Sequence, residues 1–171
     1  MTDEKETCQT LSKTESIDFM EIYKKELEET KAKGETNKDK ILAKLKELGI
    51  TLVTVSYEGA GDSGDFEDAA LIPADIEKGV SEDALSVNTV TILVKESIFK
   101  DGKWEAKQHE KEVPLSVAIQ DMTYDLLEAS HPGWELNEGS DGHFYIDVEN
   151  GMVRLSHTNY YTTHEEFETE F

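Results

Sequence analysis

Cysteine, arginine and long apolar runs are nearly missing from this chain, and each shortage excludes something. The single cysteine, Cys8, lies in a polar stretch. Alone it forms no intramolecular disulfide and no cysteine-based zinc site. No apolar run approaches the ~20 residues that span a bilayer. The opening "MTDEKETCQT" has neither the basic region nor the apolar core of a signal peptide, so a cytoplasmic protein is expected. Positive charge is scarcest toward the C-terminus. Residues 114–171 hold 12 acids against Arg154, whereas residues 1–113 hold 26 acids and 16 lysines.

The acids therefore dominate what is present, with a net charge of −21. Such a field repels nucleic acid and anionic membrane and favours basic partners or cations. At 171 residues the chain is long enough for one domain with its own core and an accessory segment.

The pattern predicts a polar tail over 1–14, a helical segment over 15–49 and an α+β domain over 50–171. From Ser16 to Lys33 a helix is expected, with Ile17, Met20 and Leu27 near one face. "KGETNKDK" predicts a break. Gly34 would close the first helix, and Thr36 with Asp39 would cap a second carrying Ile41, Leu42, Leu45 and Leu48 up to Gly49. "ITLVTVSYEG" reads as a strand, followed by an acidic turn and a loosely helical stretch at Pro73–Lys78. "VNTVTILVKESIF" and "KWEAKQHEKEV" flank Asp101-Gly102, a hairpin signal that sets Phe99 opposite Trp104 if the loop has two residues. Pro114 opens a helix to about Ser130, and "HPGWELNEGSDG" reads as a loop. Asn150-Gly151 predicts a final hairpin pairing Val148 with Val153, Ile146 with Leu155, Phe144 with His157, and Asp147 with Arg154. The economical packing is a mostly antiparallel sheet of about five strands with helices on one face.

Ser63, in "GAGDSGDFED", sits where several hydrolases hold a nucleophile. A chymotrypsin-like arrangement needs its histidine upstream, and here the first is His109. The lipase-esterase form with Gly-Asp-Ser at a strand end needs an aspartate three positions before a histidine, and none of the five histidines has one. Asp62, Asp65, Glu67 and Asp68 offer hard oxygen ligands for weak calcium or magnesium binding. Yet Gly64 and Phe66 occupy slots where a calcium loop places acids, and glycines with aspartates account for a tight turn without an ion. His143 and His157 fall on opposite faces of their hairpin by alternation, which argues against a histidine metal site. No cofactor is implied.

Two further features point to partners. Asp121, Asp125 and Glu128 fall together on the helix after Pro114 as an acidic rail. The ending "THEEFETEF" sets Phe167 and Phe171 among Glu165, Glu166, Glu168 and Glu170, either as a docking segment or as an edge element covering the sheet. Trp104, Trp134, Tyr160 and Tyr161 add to this aromatic surface.

The blocks "ITLVTVSYEGAGDSGDFED" and "YDLLEASHPGWELNEGSDGHFYIDVENG" together resemble an uncharacterised bacterial and mobile-element domain family. That family has a Tyr-x-Gly-x-Gly-Asp-Ser-Gly turn and a Tyr-Asp-Leu-Leu-Glu…His-Pro-Gly-Trp-Glu block. The resemblance covers about a third of the chain, leaves out the first fifty residues and implies a shared fold without an established activity. It marks Asp62, Ser63, His131, Gly133, Trp134 and Glu135, and implies that the two loops neighbour one another.

The expectation is a non-enzymatic acidic protein that engages a basic surface on another protein, with mimicry of nucleic acid as a narrower form. The rival is a small-ligand or cation site around Asp62, Ser63 and Asp65 with His131 and Trp134.

Overall fold

The structure, a computed structural model, describes residues 19–171. The tail expected over 1–14, the start of the first helix and Cys8 lie outside the described residues. Ten elements follow in order: α1 (Phe19–Glu47), β1 (Leu52–Phe66), β2 (Ala70–Leu71), α2 (Pro73–Glu77), α3 (Ala84–Val87), β3 (Thr89–Lys100), β4 (Lys103–Pro114), α4 (Leu115–Ser130), β5 (Leu136–Asp147) and β6 (Met152–Asn159). The class is α+β with every strand pair antiparallel. The strands divide into a four-stranded sheet, β2-β1-β5-β6, and a separate two-stranded sheet, β3-β4, rather than lying in one sheet of about five.

The predicted break at "KGETNKDK" does not occur, and α1 runs unbroken through it. Tertiary contact overrides the local signal here. Gly34 is buried because α4 crosses it: a Cβ at that position would lie 3.2 Å from Asp125 Cβ. Thr36 caps nothing, since its hydroxyl donates back to Ala32 O at 2.9 Å. Asn37 is wholly buried, donating from Nδ2 to Leu93 O (2.9 Å) and accepting from Leu93 N (2.8 Å). One amide side chain thus clips β3 onto the helix. Where the helix does end, Gly49 takes φ +74 while its N–H donates to Lys46 O and that of Ile50 donates to Leu45 O. That pair of bonds satisfies the last carbonyls of the helix.

One continuous core joins Ile41 and Leu45 of α1, Val53 and Val55 of β1, Leu115, Ile119, Met122 and Leu127 of α4, and Phe144 and Ile146 of β5. The β3-β4 hairpin keeps the predicted register, with Phe99 opposite Trp104 and Asp101 and Gly102 both at positive φ.

The last hairpin departs from expectation by two residues. Ile146 pairs with Val153, Phe144 with Leu155, Tyr145 with Arg154 and Gly142 with His157. The loop has four residues because Asp147 accepts hydrogen bonds from Asn150 N (3.0 Å) and Asn150 Nδ2 (2.7 Å). These side-chain bonds replace the two-residue turn. A shift of two preserves which face each side chain occupies, so Phe144, Ile146, Val153 and Leu155 still pack inward. The expected Asp147–Arg154 pair is lost. Arg154 instead lies over the Tyr145 ring, 4.8 Å from its centroid.

Candidate functional site

The stretch expected to be an acidic turn is extended chain, since β1 continues to Phe66. It pairs with β5 as far as Asp62↔Leu136, through an irregularity at Gly59/Gly61 where Gly61 takes φ +76. That bulge bends the strand, and Glu67 N returns to donate to Ser56 O at 2.9 Å. Inside the bend lies the Trp134 indole, 4% exposed. A Cβ on Gly59 would stand 2.8 Å from Trp134 Cζ3, and one on Gly64 would collide with the far edge of the same ring. The glycines around Ser63 are therefore the two walls of a tryptophan slot. The turn and the His-Pro-Gly-Trp block meet through this packing.

Around the slot Tyr57 stacks edge-on against Trp134, with centroids 5.3 Å apart, and Phe66 lies 5.7 Å from the same indole. Ser140, fully buried, donates to Trp134 O at 2.7 Å. Tyr57 Oη hydrogen-bonds His157 Nδ1, and His157 Nε2 meets Asn159 Oδ1 at 2.9 Å. His131 stacks on His157 at 3.8 Å between centroids. Burial, then the nearby Asp141 charge, push the Tyr57 phenol up to about 12. Burial and the His157 ring hold the His131 imidazole below its ordinary value. The imidazoles face one another as stacked plates, so their nitrogens do not converge on a common point.

Ser63 itself is exposed on the outer side of the bend. Among the described residues the serine that meets an imidazole is Ser56, whose Oγ lies 3.0 Å from His143 Nδ1 as its direct cross-strand partner. That pair is exposed. Neither serine sits at the head of a base-and-acid relay.

The carboxylates of the stretch diverge. Asp62 is exposed, Asp65 Oδ1 accepts from its neighbour Phe66 N at 2.8 Å, and Asp68 faces Gln120 of α4. Among the described residues no three of His, Cys, Asp and Glu gather as metal ligands, so the weak cation loop at Asp62, Asp65, Glu67 and Asp68 lacks its geometry. Asp65 and Glu67 turn instead into an open groove of about 460 Å³. It is walled by Glu58 and Asp141 across the β1–β5 ladder, and Ser56, Tyr57, Phe66 and His143 complete it. Tyr160 donates to Asp141 beside this groove, and Tyr160 N donates to Gly139 O at 3.0 Å, leading the C-terminal segment along β5.

The acidic rail on α4 is not a solvent-facing row. Asp125 is 5% exposed, and Lys33 of α1 lies 3.0 Å from it and 3.3 Å from Asp121. Burial raises the Asp125 carboxyl to about 6, against the opposing pull of Lys33. Glu128, half-buried, is pushed up by burial and by the Glu135 charge. The sequence displayed these acids on one helix, but the face they occupy is where α1 crosses. Glu165, Glu166, Glu168 and Glu170 are all exposed, with Phe167 82% accessible, and residues 160–171 form no regular element.

Glu58, Asp141, His143 and Ser56 were missed as one cluster because no sequence signal pairs β1 with β5 rather than with its chain neighbours. Once that ladder is known, alternation puts all four on its outer face.

No helix among the described residues is long and apolar enough to cross a membrane. No curated protein and no solved structure matches the chain. Residues 34–171, which include both the glycine-walled bend and the tryptophan it holds, match DUF6878, a family of unknown function, and the chain belongs to that family.

Proposed function

We propose that the chain is an acidic interaction protein that receives a basic segment of another protein. Its seat is the groove between Glu58, Asp65, Glu67 and Asp141, extended by the C-terminal glutamates Glu165, Glu166, Glu168 and Glu170. One observation carries the reading. Residues 48–88 and 115–171 hold 21 acids against Lys78 and Arg154, and ion pairs among the described residues reach two of those acids, Asp121 and Asp125, both from Lys33. The remaining acids have no lysine or arginine within 4 Å among the described residues.

The groove suits lysine or arginine side chains in particular. Carboxylates stand on both walls, Phe66 supplies ring surface against an aliphatic stem or a guanidinium, and Ser56 with His143 offers polar contacts. A protein that itself binds nucleic acid is the partner class such a surface fits, because its lysines and arginines already present themselves to anions. Solvated carboxylates attract at long range, so they speed encounter and lose influence as salt rises.

The test is capture of basic proteins by the immobilised full chain at about 50 mM salt, with release at about 500 mM. The variant Glu58→Gln/Asp65→Asn/Glu67→Gln/Asp141→Asn is expected to lose capture while Asp121→Asn keeps it. Equal capture by the groove variant and the parent would overturn the proposal.

A further inference from the structure

The helix–hairpin side of the molecule carries a second surface of opposite character. Residues 19–47 and 89–114 hold 13 lysines against 12 acids, so α1 and β3-β4 together are nearly neutral in a chain of net charge −21. The same elements expose large apolar groups. Phe19 is 77% accessible, Phe99 60% and Trp104 72%, with Ile22 and Tyr23 also in water. Exposed apolar groups gathered on one side of a soluble domain mark an interaction surface.

Strand alternation places these groups with respect to one another. Leu93, Lys95, Ala106 and Gln108 look across a groove of about 730 Å³ at Ile22, Glu29 and Lys33 of α1. Phe99 lies four residues beyond Lys95 and Trp104 two beyond Ala106, so both stand on that same face. Their rings touch each other, with centroids 5.2 Å apart, beyond the point where Lys95 reaches Glu29 at 3.5 Å. Each copy thus carries an aromatic knob at the hairpin tip and an open groove at its base.

We propose that two copies of the chain associate through this face, the Phe99–Trp104 knob of each lying in the α1–hairpin groove of the other. Charge selects the occupant. Any other side of a second copy would bring its excess carboxylates forward, whereas here lysines and acids are interspersed. Lys100 and Lys103 beside the knob can meet Glu26 and Glu28 of the opposite α1, and the reverse contact follows by symmetry. A self-complementary patch of this kind closes into a two-fold pair, and buried aromatic anchors are the residues that dominate such interfaces.

The test is sedimentation of the full chain from about 1 to about 100 µM, at low and at high salt. The expected species at high concentration has twice the 19.3 kDa chain mass. Its association tightens with salt, because screening removes repulsion between the two acidic far sides. This sign is opposite to that of basic-partner capture, so failure of one reading leaves the other standing. Phe99→Glu with Trp104→Glu should weaken association at least about a hundredfold, and Ile22→Glu, from the groove side, at least about tenfold. Removing residues 162–171 should change nothing. A monomer at every concentration and salt overturns the proposal. So does a dimer that survives both sets of folded variants, or one lost with the C-terminal segment, which would make Phe167 and Phe171 the occupants.

Discussion

The two halves of this molecule treat their acids in opposite ways. On the helix–hairpin side lysines are interspersed with the carboxylates and several pair with them: Glu110 lies 2.7 Å from Lys40, Glu47 2.9 Å from Lys44 and Glu96 3.2 Å from Lys111. On the sheet side the acids of the β1–β5 groove face water without a cation. Exposed pairs contribute little to stability, so the first arrangement mainly cancels a field and the second preserves one. Net charge alone concealed this, because the total of −21 adds a nearly neutral region to a strongly anionic one. The rail on α4 lies at the seam, where Lys33 closes over Asp121 and Asp125.

The largest expected effect separates packing from charge on the sheet side. Gly64→Ala puts a methyl into the Trp134 ring and Gly59→Ala crowds its edge. Each should cost about 3 kcal/mol or more in urea unfolding, in the range of overpacked cores. Gly151→Ala, where a Cβ meets nothing, should cost only about 1 kcal/mol for its positive φ. Similar losses at all three positions would mean that the slot is not what the glycines serve.

Next, Asn37→Leu should loosen the clip that holds the hairpin to α1. It strips Leu93 N and O of their side-chain partners at a buried position, for roughly 2–3 kcal/mol. Hydrogen exchange should rise along β3 first and leave the β1–β5 ladder protected.

The seam gives a pH effect. Asp125 is raised to about 6 in the folded protein from an ordinary 3.8. Its contribution is therefore fully present below about 3.8 and is lost as pH rises through about 6. Asp125→Asn removes that dependence, so the stability of the parent relative to the variant should fall between about pH 4 and about pH 7, by an amount on the order of 2 kcal/mol. A parent that gains on the variant over this interval would mean that Lys33 outweighs burial.

The smallest effect concerns the stacked imidazoles. His131 is lowered in the fold, so the stability it lends is present above its unfolded value and declines as pH falls through the folded one. His131→Gln should flatten the acid side of the melting-temperature profile by a degree or two, roughly. An unchanged profile would show that the stack is indifferent to protonation.

Local signals made much of the fold legible. Asp101-Gly102 fixed the register of its hairpin, Gly49 ended α1, and alternation found the inward face of β5 and β6 even though Asp147 lengthened the loop by two residues. What was hidden depended on elements distant in sequence. Gly34 and Thr36 look like a helix boundary until α4 is laid across them, and Asp125 looks solvated until Lys33 arrives. Ser63 drew attention as a nucleophile because its glycines resemble those of a hydrolase turn. Their partner was Trp134, seventy positions further along, and no short motif announces that an indole will fill a bend.

We propose that the sheet side gathers its anionic field in a groove that a basic segment enters. A titration of the full ¹⁵N-labelled chain with an oligo-arginine peptide tests it most directly. Amide shifts should move at Ser56–Glu67 and Asp141–His143, saturate at one site and vanish when Glu58, Asp65, Glu67 and Asp141 are neutralised. Shifts spread evenly over every acidic residue, or strongest along α1 and the β3-β4 hairpin, would contradict it.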